Sequence, residues 1–166
     1  MKSARINLVL LTCEALQNWI LEGINPRAAG GGVYDGESLE GALRIAVEKK
    51  IENMINDPGM EKWYSYYGIV YRNKIVGLVG PKGKSGVPDW IEIGYGIGEK
   101  YRGRGIATAA VTAICRRYQM KEKTKRIIAV TDAGNIASER VLIKAGFKEK
   151  ERTKEKTDWE KVIFEM

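Results

Sequence analysis

The most informative stretch of the sequence reads Glu99-Lys100-Tyr101-Arg102-Gly103-Arg104-Gly105-Ile106-Ala107, and it joins a strand-like run to a helix-like run. The first amides of a helix are unpaired donors at the positive end of its dipole, so a glycine-rich helix start lets phosphate oxygens approach them closely. Arg102 and Arg104 add positive charge at the same point, and Gly103 and Gly105 have no side chain to block the approach. The stretch therefore indicates a turn that binds pyrophosphate, with an ordinary structural turn as the alternative.

Two better-known nucleotide-binding loops do not match this stretch. The GxxxxGK[ST] pattern is absent from the sequence, and GxGxxG fails because Thr108 stands where the third glycine should be. The phosphate-binding turn, if present, is therefore of another kind.

Length and composition predict one globular domain over residues 1–166. Of the 166 residues, 44% are hydrophobic and 30% are charged, which is typical of a folded rather than a disordered chain. The longest apolar run near the start is far shorter than the ~20 residues of a membrane span, and it lacks the flank of a secretory signal. We therefore expect a cytoplasmic protein with no membrane partner.

The absence of histidine restricts the chemistry of any active site. Ser-His and Cys-His nucleophiles are excluded, which leaves Glu, Asp, Tyr, Lys or water for proton transfer. The two cysteines, Cys13 and Cys115, do not form a CxxC pair, so we expect no metal site and no disulfide. Both thiols are expected to be reduced and buried.

The net charge of +7 is concentrated in one region, because residues 100–126 hold nine Lys/Arg and one Glu. Such a cluster suggests cofactor phosphates or nucleic acid as a partner, with a solvated basic helix face as the alternative. Binding of nucleic acid would favour aromatic residues among the charges to stack on bases, and the cluster offers only Tyr101 and Tyr118. We therefore do not expect nucleic acid as the partner.

Hydrophobic periodicity predicts the order βαα, βββ, α, β, α, ββ without an internal repeat. The first strand is predicted to be buried on both faces, because its apolar residues are nearly continuous. Residues 24–36, with three consecutive glycines, are predicted to form a loop. Strands are predicted over residues 5–11, 64–71, 74–79, 90–97, 126–131, 147–153 and 159–165. Helices are predicted over residues 14–22, 39–55, 105–120 and 135–145, the first capped by Thr12 and the last followed by Gly146.

Two blocks of the sequence resemble the GNAT acetyltransferase family. The cofactor motif of that family, [QR]-x-x-G-x-[GA], is present as Arg102, Gly105 and Ala107, and residues 93–97 resemble its fourth strand. The second block, Asn135-Ile136-Ala137-Ser138 followed by Lys144-Ala145-Gly146-Phe147, resembles the Asn-x-x-Ser/Ala helix that ends in Gly-Phe. Within the family, the sequence is similar to the Rim-type branch, which includes ribosomal-protein N-acetyltransferases. The match covers residues 64–164.

The resemblance implies an α/β (α+β) fold with a mixed central sheet of about seven strands and four helices, splayed between strands 4 and 5. The pantetheine arm of acetyl-CoA would enter the splay and pair with the backbone of Tyr95, Gly96 and Ile97. Asn135 would hydrogen-bond that arm or the neighbouring strand, and a plain helix N-cap is a compatible alternative. The pyrophosphate would lie on the turn formed by Arg102, Gly103, Arg104, Gly105, Ile106, Ala107 and Thr108.

The activity implied is N-acetyl transfer from acetyl-CoA to a primary amine, by direct attack in a ternary complex and without metal. Glu92 matches the position at which many members carry a glutamate that removes the amine proton through water, and an ordinary exposed strand glutamate is the alternative. Leu142 stands where many relatives place a tyrosine acid, so Ser138 is nominated as the acid, with a local backbone bond as its alternative. A backbone amide within residues 95–97 would bind the oxyanion.

The acceptor is predicted from its acidity. An α-amine has a reference pKa of about 7.7 to 8.0 and is deprotonated more easily than a lysine side chain at about 10.4. We therefore predict a protein or peptide N-terminus or a small amine as the acceptor, for an enzyme that is a monomer or homodimer. A catalytically inactive module that binds coenzyme A, ribosomes or nucleic acid is the alternative. Six aromatic residues are candidates for the acceptor pocket or for the core: Trp19, Tyr34, Trp63, Tyr64, Tyr66 and Trp90.

Overall fold

The order of elements follows the prediction, with one short helix and one 3₁₀ turn added. The structure, a computed structural model, describes residues 3–28, 32–83 and 89–162. The strands are β1 (Asn7–Leu10), β2 (Tyr67–Tyr71), β3 (Lys74–Pro81), β4 (Trp90–Ile97), β5 (Arg126–Asp132), β6 (Lys148–Arg152) and β7 (Lys156–Val162). The helices are α1 (Cys13–Glu22), α2 (Gly41–Asn56), α3 (Glu61–Tyr64), α4 (Ile106–Glu122) and α5 (Ile136–Lys144), and the 3₁₀ turn is Glu99–Tyr101.

The strands form one mixed sheet of seven strands in the order β1-β2-β3-β4-β5-β7-β6. Neighbouring strands are antiparallel except for β4 and β5, which run parallel. The parallel pair requires a crossover, and α4 provides it. The predicted mixed sheet of about seven strands is confirmed.

The predicted splay between the fourth and fifth strands is also confirmed. The two strands pair only where Trp90, Ile91 and Glu92 face Arg126, Ile127 and Ile128. Beyond this point β4 continues to Ile97 and β5 to Asp132 without pairing between them. In the described part of the chain, the β5-facing edge of residues 93–97 therefore has no strand partner.

Helices cover both faces of the sheet. Along β4, Ile91, Ile93 and Ile97 point to the face covered by α4 and α5, and they pack in one apolar cluster with Ile114 and Leu142. On the opposite face, α1 and α2 contribute Leu16 and Val47 to a second cluster, which includes Ile75 and Leu78 of β3. The two clusters thus hold α4 and α5 on one face of the sheet and α1 and α2 on the other.

The prediction that β1 is buried on both faces is wrong. Asn7 is exposed and the other three residues of β1 are half-buried, because β1 lies at the edge of the sheet and pairs with β2. Leu8 packs toward the α4 side and Val9 toward the α1 side, so the nearly continuous apolar run serves two partly covered faces.

Two strands begin three residues away from their predicted starts. Residues 61–64 form α3, so β2 begins at Tyr67, and Trp63 packs against Tyr118 with a ring-centroid distance of 5.5 Å. The tight hairpin turn that follows β2 is made by Arg72 and Asn73 in left-handed conformations. The last strand begins at Lys156, where it pairs with Asp132 of β5, and its predicted end lies outside the described residues. Gly30 and Gly31 of the predicted loop also lie outside them.

No helix within the described ranges is both long and apolar enough to cross a membrane.

Candidate active site

The turn that precedes α4 has open space around its two glycines. Gly103 and Gly105 have φ values of 76° and 78°, and a Cβ atom built on either would meet no other atom within 4 Å. The first helical bond that follows Gly105 runs from Ala109 N to Gly105 O at 3.1 Å. The amides of Ile106 to Thr108 therefore precede the ladder and are free to bind a ligand.

Basic side chains of this turn contact acidic residues from a distant part of the sequence. Lys100 Nζ lies 2.8 Å from Asp35 Oδ2, and Arg102 Nη2 lies 3.5 Å from Glu37 Oε1. The Tyr101 hydroxyl also donates to Asp35 Oδ2. The hydrogen bond from Lys100, followed by that from Tyr101, holds the pKa of Asp35 below its usual value. The segment of residues 33–37 is thereby joined to the turn.

Backbone bonds hold the 33–37 segment beside the sheet. Asp35 N donates to Ile75 O at 2.7 Å, and Ile75 N donates to Val33 O at 3.1 Å. The Tyr34 hydroxyl donates to Glu37 O at 2.8 Å. The position of Glu37 at the mouth of the splay is thus set by its neighbours.

A cleft of about 420 Å³ occupies the space between the separated strands. One wall is formed by β4 and the other by the end of β5 and the start of α5, while α2 and the 33–37 segment close the third side. The lining residues are Tyr34, Glu37, Ala42, Leu43, Ala46, Tyr66, Leu78, Lys82, Ile93, Gly94, Tyr95, Gly96, Ala129, Val130, Thr131, Asp132, Asn135, Ser138 and Lys156.

The two glycines of β4 give charged side chains room to lie over the strand. A Cβ atom on Gly96 would be 3.3 Å from Glu37 Oε1, and one on Gly94 would be 2.9 Å from Lys82 Cε. Both glycines lie on the α2 side of the sheet, on one face of the strand as the sequence alternation predicts. Larger residues at these positions would displace the charged groups from the cleft wall.

Glu92 lies at the closed end of the splay, as the last residue of β4 that pairs with β5. Its side chain is half-buried and its Oε1 atom is 3.5 Å from Lys82 Nζ. Lys82 lines the cleft, whereas Glu92 does not. The carboxylate is therefore next to the cleft and separated from it by its lysine partner.

The start of α5 brings Asn135, Ser138 and Tyr95 together. Asn135 Oδ1 accepts a hydrogen bond from Ser138 N at 3.2 Å, which makes Asn135 the N-cap of α5. The Tyr95 hydroxyl donates to Ser138 O at 3.2 Å, and burial raises the pKa of this tyrosine. All three residues line the cleft. Leu142, in contrast, is completely buried in the core.

Sequence reasoning missed the charged residues of the cleft, which are Glu37, Lys82, Asp132 and Lys156. They come from a loop and from the ends of three strands, and no motif connects them. Of the six aromatic candidates, Tyr34 and Tyr66 line the cleft, whereas Trp19 is buried in the core.

One buried cation lies behind the cleft wall. Lys50 of α2 is only 6% exposed, donates to Tyr64 O at 2.9 Å and to Pro81 O, and lies 4.2 Å from the centroid of the Tyr66 ring. Burial, with a smaller contribution from Lys82, lowers the pKa of Lys50 to about 7. This lysine ties α2 to the end of β3.

A family model described as an acetyltransferase (GNAT) domain matches residues 30–148. The chain belongs to the GNAT acetyltransferase family. As a member, it is an N-acetyltransferase. No curated protein matches the sequence.

Solved structures of other acetyltransferases share the GNAT fold over nearly the whole chain. RimL, a ribosomal-protein α-N-acetyltransferase in complex with coenzyme A, has 16% identity and a TM-score of 0.68, with 97% of this chain and 96% of that chain covered. A ribosomal-protein-alanine acetyltransferase from Vibrio fischeri has 15% identity and a TM-score of 0.65, with coverages of 98% and 95%. A chimera of a spermidine N-acetyltransferase from Vibrio cholerae has 12% identity and a TM-score of 0.68, with 96% of each chain covered. The neighbours thus include Rim-type GNAT enzymes.

The cysteines of this GNAT domain differ in burial. Cys115 is buried in the core, and burial raises the pKa of its thiol to about 12. Cys13 is only half-buried because it begins α1, so the prediction of two buried thiols is wrong for Cys13. Within the described residues, no group of three or more His, Cys, Asp or Glu side chains could hold a metal ion.

Proposed function

We propose that this GNAT enzyme transfers an acetyl group from acetyl-CoA to a primary amine by direct attack of the amine within a ternary complex. The observation that carries the proposal is the separation of β4 from β5 after Glu92 and Ile128, which opens a cleft lined by the start of α5. Glu37 of this cleft lies 3.5 Å from Arg102 of the turn before α4. Direct attack needs no protein nucleophile. That mechanism suits a chain without histidine whose buried Cys115 stays protonated.

The residues around the splay fit acetyl-CoA, which supplies an activated thioester when bound. The unpaired edge of β4 offers the backbone of Tyr95, Gly96 and Ile97 to a pantetheine arm, in the manner of an added strand. The open glycine turn and the first amides of α4 suit a pyrophosphate, and Arg102 and Arg104 lie beside them. A neighbour of the same fold is bound to coenzyme A.

Proton transfer is assigned to Glu92, beside the closed end of the splay, and to groups at the start of α5. Glu92 accepts the proton of the amine through a water molecule, and the Lys82 ammonium holds its carboxylate in place. A backbone amide within residues 95–97 stabilises the oxyanion. Ser138 donates a proton to the departing thiolate, and the Tyr95 hydroxyl beside the Ser138 carbonyl is a second donor at the same end.

The acceptor is an α-amine on a protein or peptide N-terminus or on a small molecule. Its acidity favours an α-amine over a lysine side chain, because the reacting nitrogen must be neutral. Neighbours of the same fold are named for ribosomal proteins and for spermidine, so both kinds of acceptor belong in the test. We place the enzyme in the cytoplasm as a monomer or homodimer.

The proposal is tested by release of coenzyme A from acetyl-CoA in the presence of trialanine, spermidine, free amino acids and an N-terminally blocked lysine peptide. We expect turnover with trialanine or a free amino acid that exceeds turnover with spermidine and with the blocked lysine peptide. Binding of acetyl-CoA without turnover of any amine would favour the inactive coenzyme A-binding module instead.

A further inference from the structure

We propose that Glu37 is the residue that recognises the acceptor, and that it binds the acceptor amine in its ammonium form after the cofactor has engaged Arg102. The inference rests on the proposed function, because it places an amine in the same cleft. It adds the charge state in which the acceptor binds, with one proton of the ammonium lost to solvent before the neutral nitrogen attacks, and the order in which the two substrates bind.

The Glu37 carboxylate lies at the wall of the cleft. Glu37 Oε1 lies over Gly96, at 3.3 Å from the position that a Cβ atom would take, and Glu37 lines the cleft together with Tyr34 and Tyr66. Its side chain is 46% exposed, so a ligand from solvent can reach it. The carboxylate therefore lies over the strand segment that is proposed to hold the pantetheine arm.

Neighbouring residues hold the backbone around Glu37 in place. The Tyr34 hydroxyl donates to its carbonyl oxygen at 2.8 Å, and the preceding Asp35 is tied to Lys100, Tyr101 and the backbone of Ile75. The backbone is thus held while the side chain remains accessible. Such an arrangement is what a binding group requires, because little ordering is left to occur when the ligand binds.

The carboxylates in and beside the cleft differ in the cations that pair with them. Lys82 lies beside Glu92, and Lys156 Nζ is 2.7 Å from Asp132 Oδ1, so these two carboxylates have cations from the cleft wall. The cation beside Glu37 is instead Arg102, at 3.5 Å, which belongs to the proposed phosphate turn. A phosphate attracts a guanidinium more strongly than one distant carboxylate oxygen does.

The order of binding follows from this shared arginine. When Arg102 turns toward the pyrophosphate, Glu37 loses the cation that pairs with it among the described residues, and its carboxylate beside the cleft is left without that partner. An ammonium group then replaces the guanidinium, which makes binding of a cationic acceptor more favourable after the cofactor than before it. A neutral acceptor would not gain in this way.

The experiment compares Glu37→Gln with Glu40→Gln, a matched control because Glu40 is exposed, does not line the cleft and makes no side-chain cap to α2. Calorimetry gives the affinity for coenzyme A, and steady-state kinetics gives KM and kcat for trialanine and spermidine. In Glu37→Gln we expect an acceptor KM raised by about tenfold or more, from the loss of one charge-assisted contact. We expect coenzyme A to bind about two- to fivefold more tightly, because Arg102 is no longer shared.

The two readouts separate the inference from its alternatives. A merely structural role would weaken coenzyme A binding and raise KM together, and that result would overturn the inference, as would an acceptor KM equal to that of Glu40→Gln. If the wild-type protein acetylates no amine, the proposed function itself fails and the inference falls with it. Turnover by the wild type with an unchanged KM in Glu37→Gln overturns the role of Glu37 alone.

Discussion

Gly105 combines a backbone conformation that favours glycine with a place in the proposed phosphate turn. Its φ of 78° favours glycine, and the space around it is open. We predict that Gly105→Leu weakens acetyl-CoA binding by about tenfold or more, because the new side chain lies near amides that the pyrophosphate needs. Calorimetric titration of acetyl-CoA measures the effect.

Gly59→Leu is the matched control for that prediction. Gly59 has a φ of 84° and equally open surroundings, but it lies in the turn between α2 and α3. Both variants should lose a similar amount of stability, about 1–2 kcal/mol from left-handed strain. Equal acetyl-CoA affinities in the two variants would show that the turn does not bind phosphate.

Glu92 is the second residue with a sharp prediction. Glu92→Gln should lower kcat by ~10²-fold or more and leave acetyl-CoA affinity nearly unchanged, which is the usual size of a general-base effect. Steady-state kinetics with the best acceptor provides kcat, and calorimetry provides the affinity. Lys82→Met removes the ion-pair partner and keeps the carboxylate, so it should lose clearly less activity than Glu92→Gln. If both variants lose activity equally, the pair is structural and the base lies elsewhere.

At the scale of secondary structure elements, sequence patterns predicted those elements whose own residues determine them. Ile91, Ile93 and Ile97 alternate with smaller or polar residues, and this alternation predicted the bounds of β4. A strand with one apolar face also has only one pairing register, because a shift by one residue would turn its apolar side chains to the other face. Helix α3 was missed, because its four residues include Trp63 and Tyr64, which suit a strand equally well. The partial burial of β1 follows from its place at the sheet edge, and that place depends on the other strands.

Lys50 connects α2 to β3, and its ionisation makes stability depend on pH. Its pKa of about 7 in the folded protein is below the value of the unfolded chain. The unfolded chain therefore binds more protons between the two values. The contribution of this group to stability is complete above the unfolded pKa and is lost as pH falls toward about 7.

We predict that the free energy of unfolding of the wild type falls by about 2–3 kcal/mol more than that of Lys50→Met between about pH 9.5 and pH 7. Urea unfolding at the two pH values measures the difference. Lys49→Met, at an exposed neighbouring position, should retain the wild-type dependence. Parallel behaviour of the wild type and Lys50→Met would contradict the lowered pKa.

At the scale of the whole molecule, the candidate site combines parts that sequence could and could not predict. The turn before α4, the strand β4 and the Asn135–Ser138 block are contiguous motifs, so one sequence contained enough to nominate them. The side of the cleft that faces α2 is assembled from the 33–37 segment and the ends of β3, β5 and β7. Contacts of this kind depend on the folded topology, and no local pattern records them.

The basic cluster of residues 100–126 is likewise divided by the fold. Lys100 and Arg102 contact the acidic 33–37 segment, whereas Arg126 pairs with Glu160 on the far side of α4. The 17 residues of α4 separate the two groups, by roughly 25 Å at 1.5 Å per residue. Only the first group adjoins the turn, so charge counting along the sequence overstated the positive field at the site.

Hydrogen–deuterium exchange with and without acetyl-CoA tests the central claim most directly, which is that the cofactor occupies the splay between β4 and β5. The unpaired edge of residues 93–97 and the free amides of residues 106–108 should become protected together on binding, while the amides of β2, on the other side of β3, should change little. Binding of acetyl-CoA that protects neither segment, or that protects only amides elsewhere in the protein, would contradict this claim.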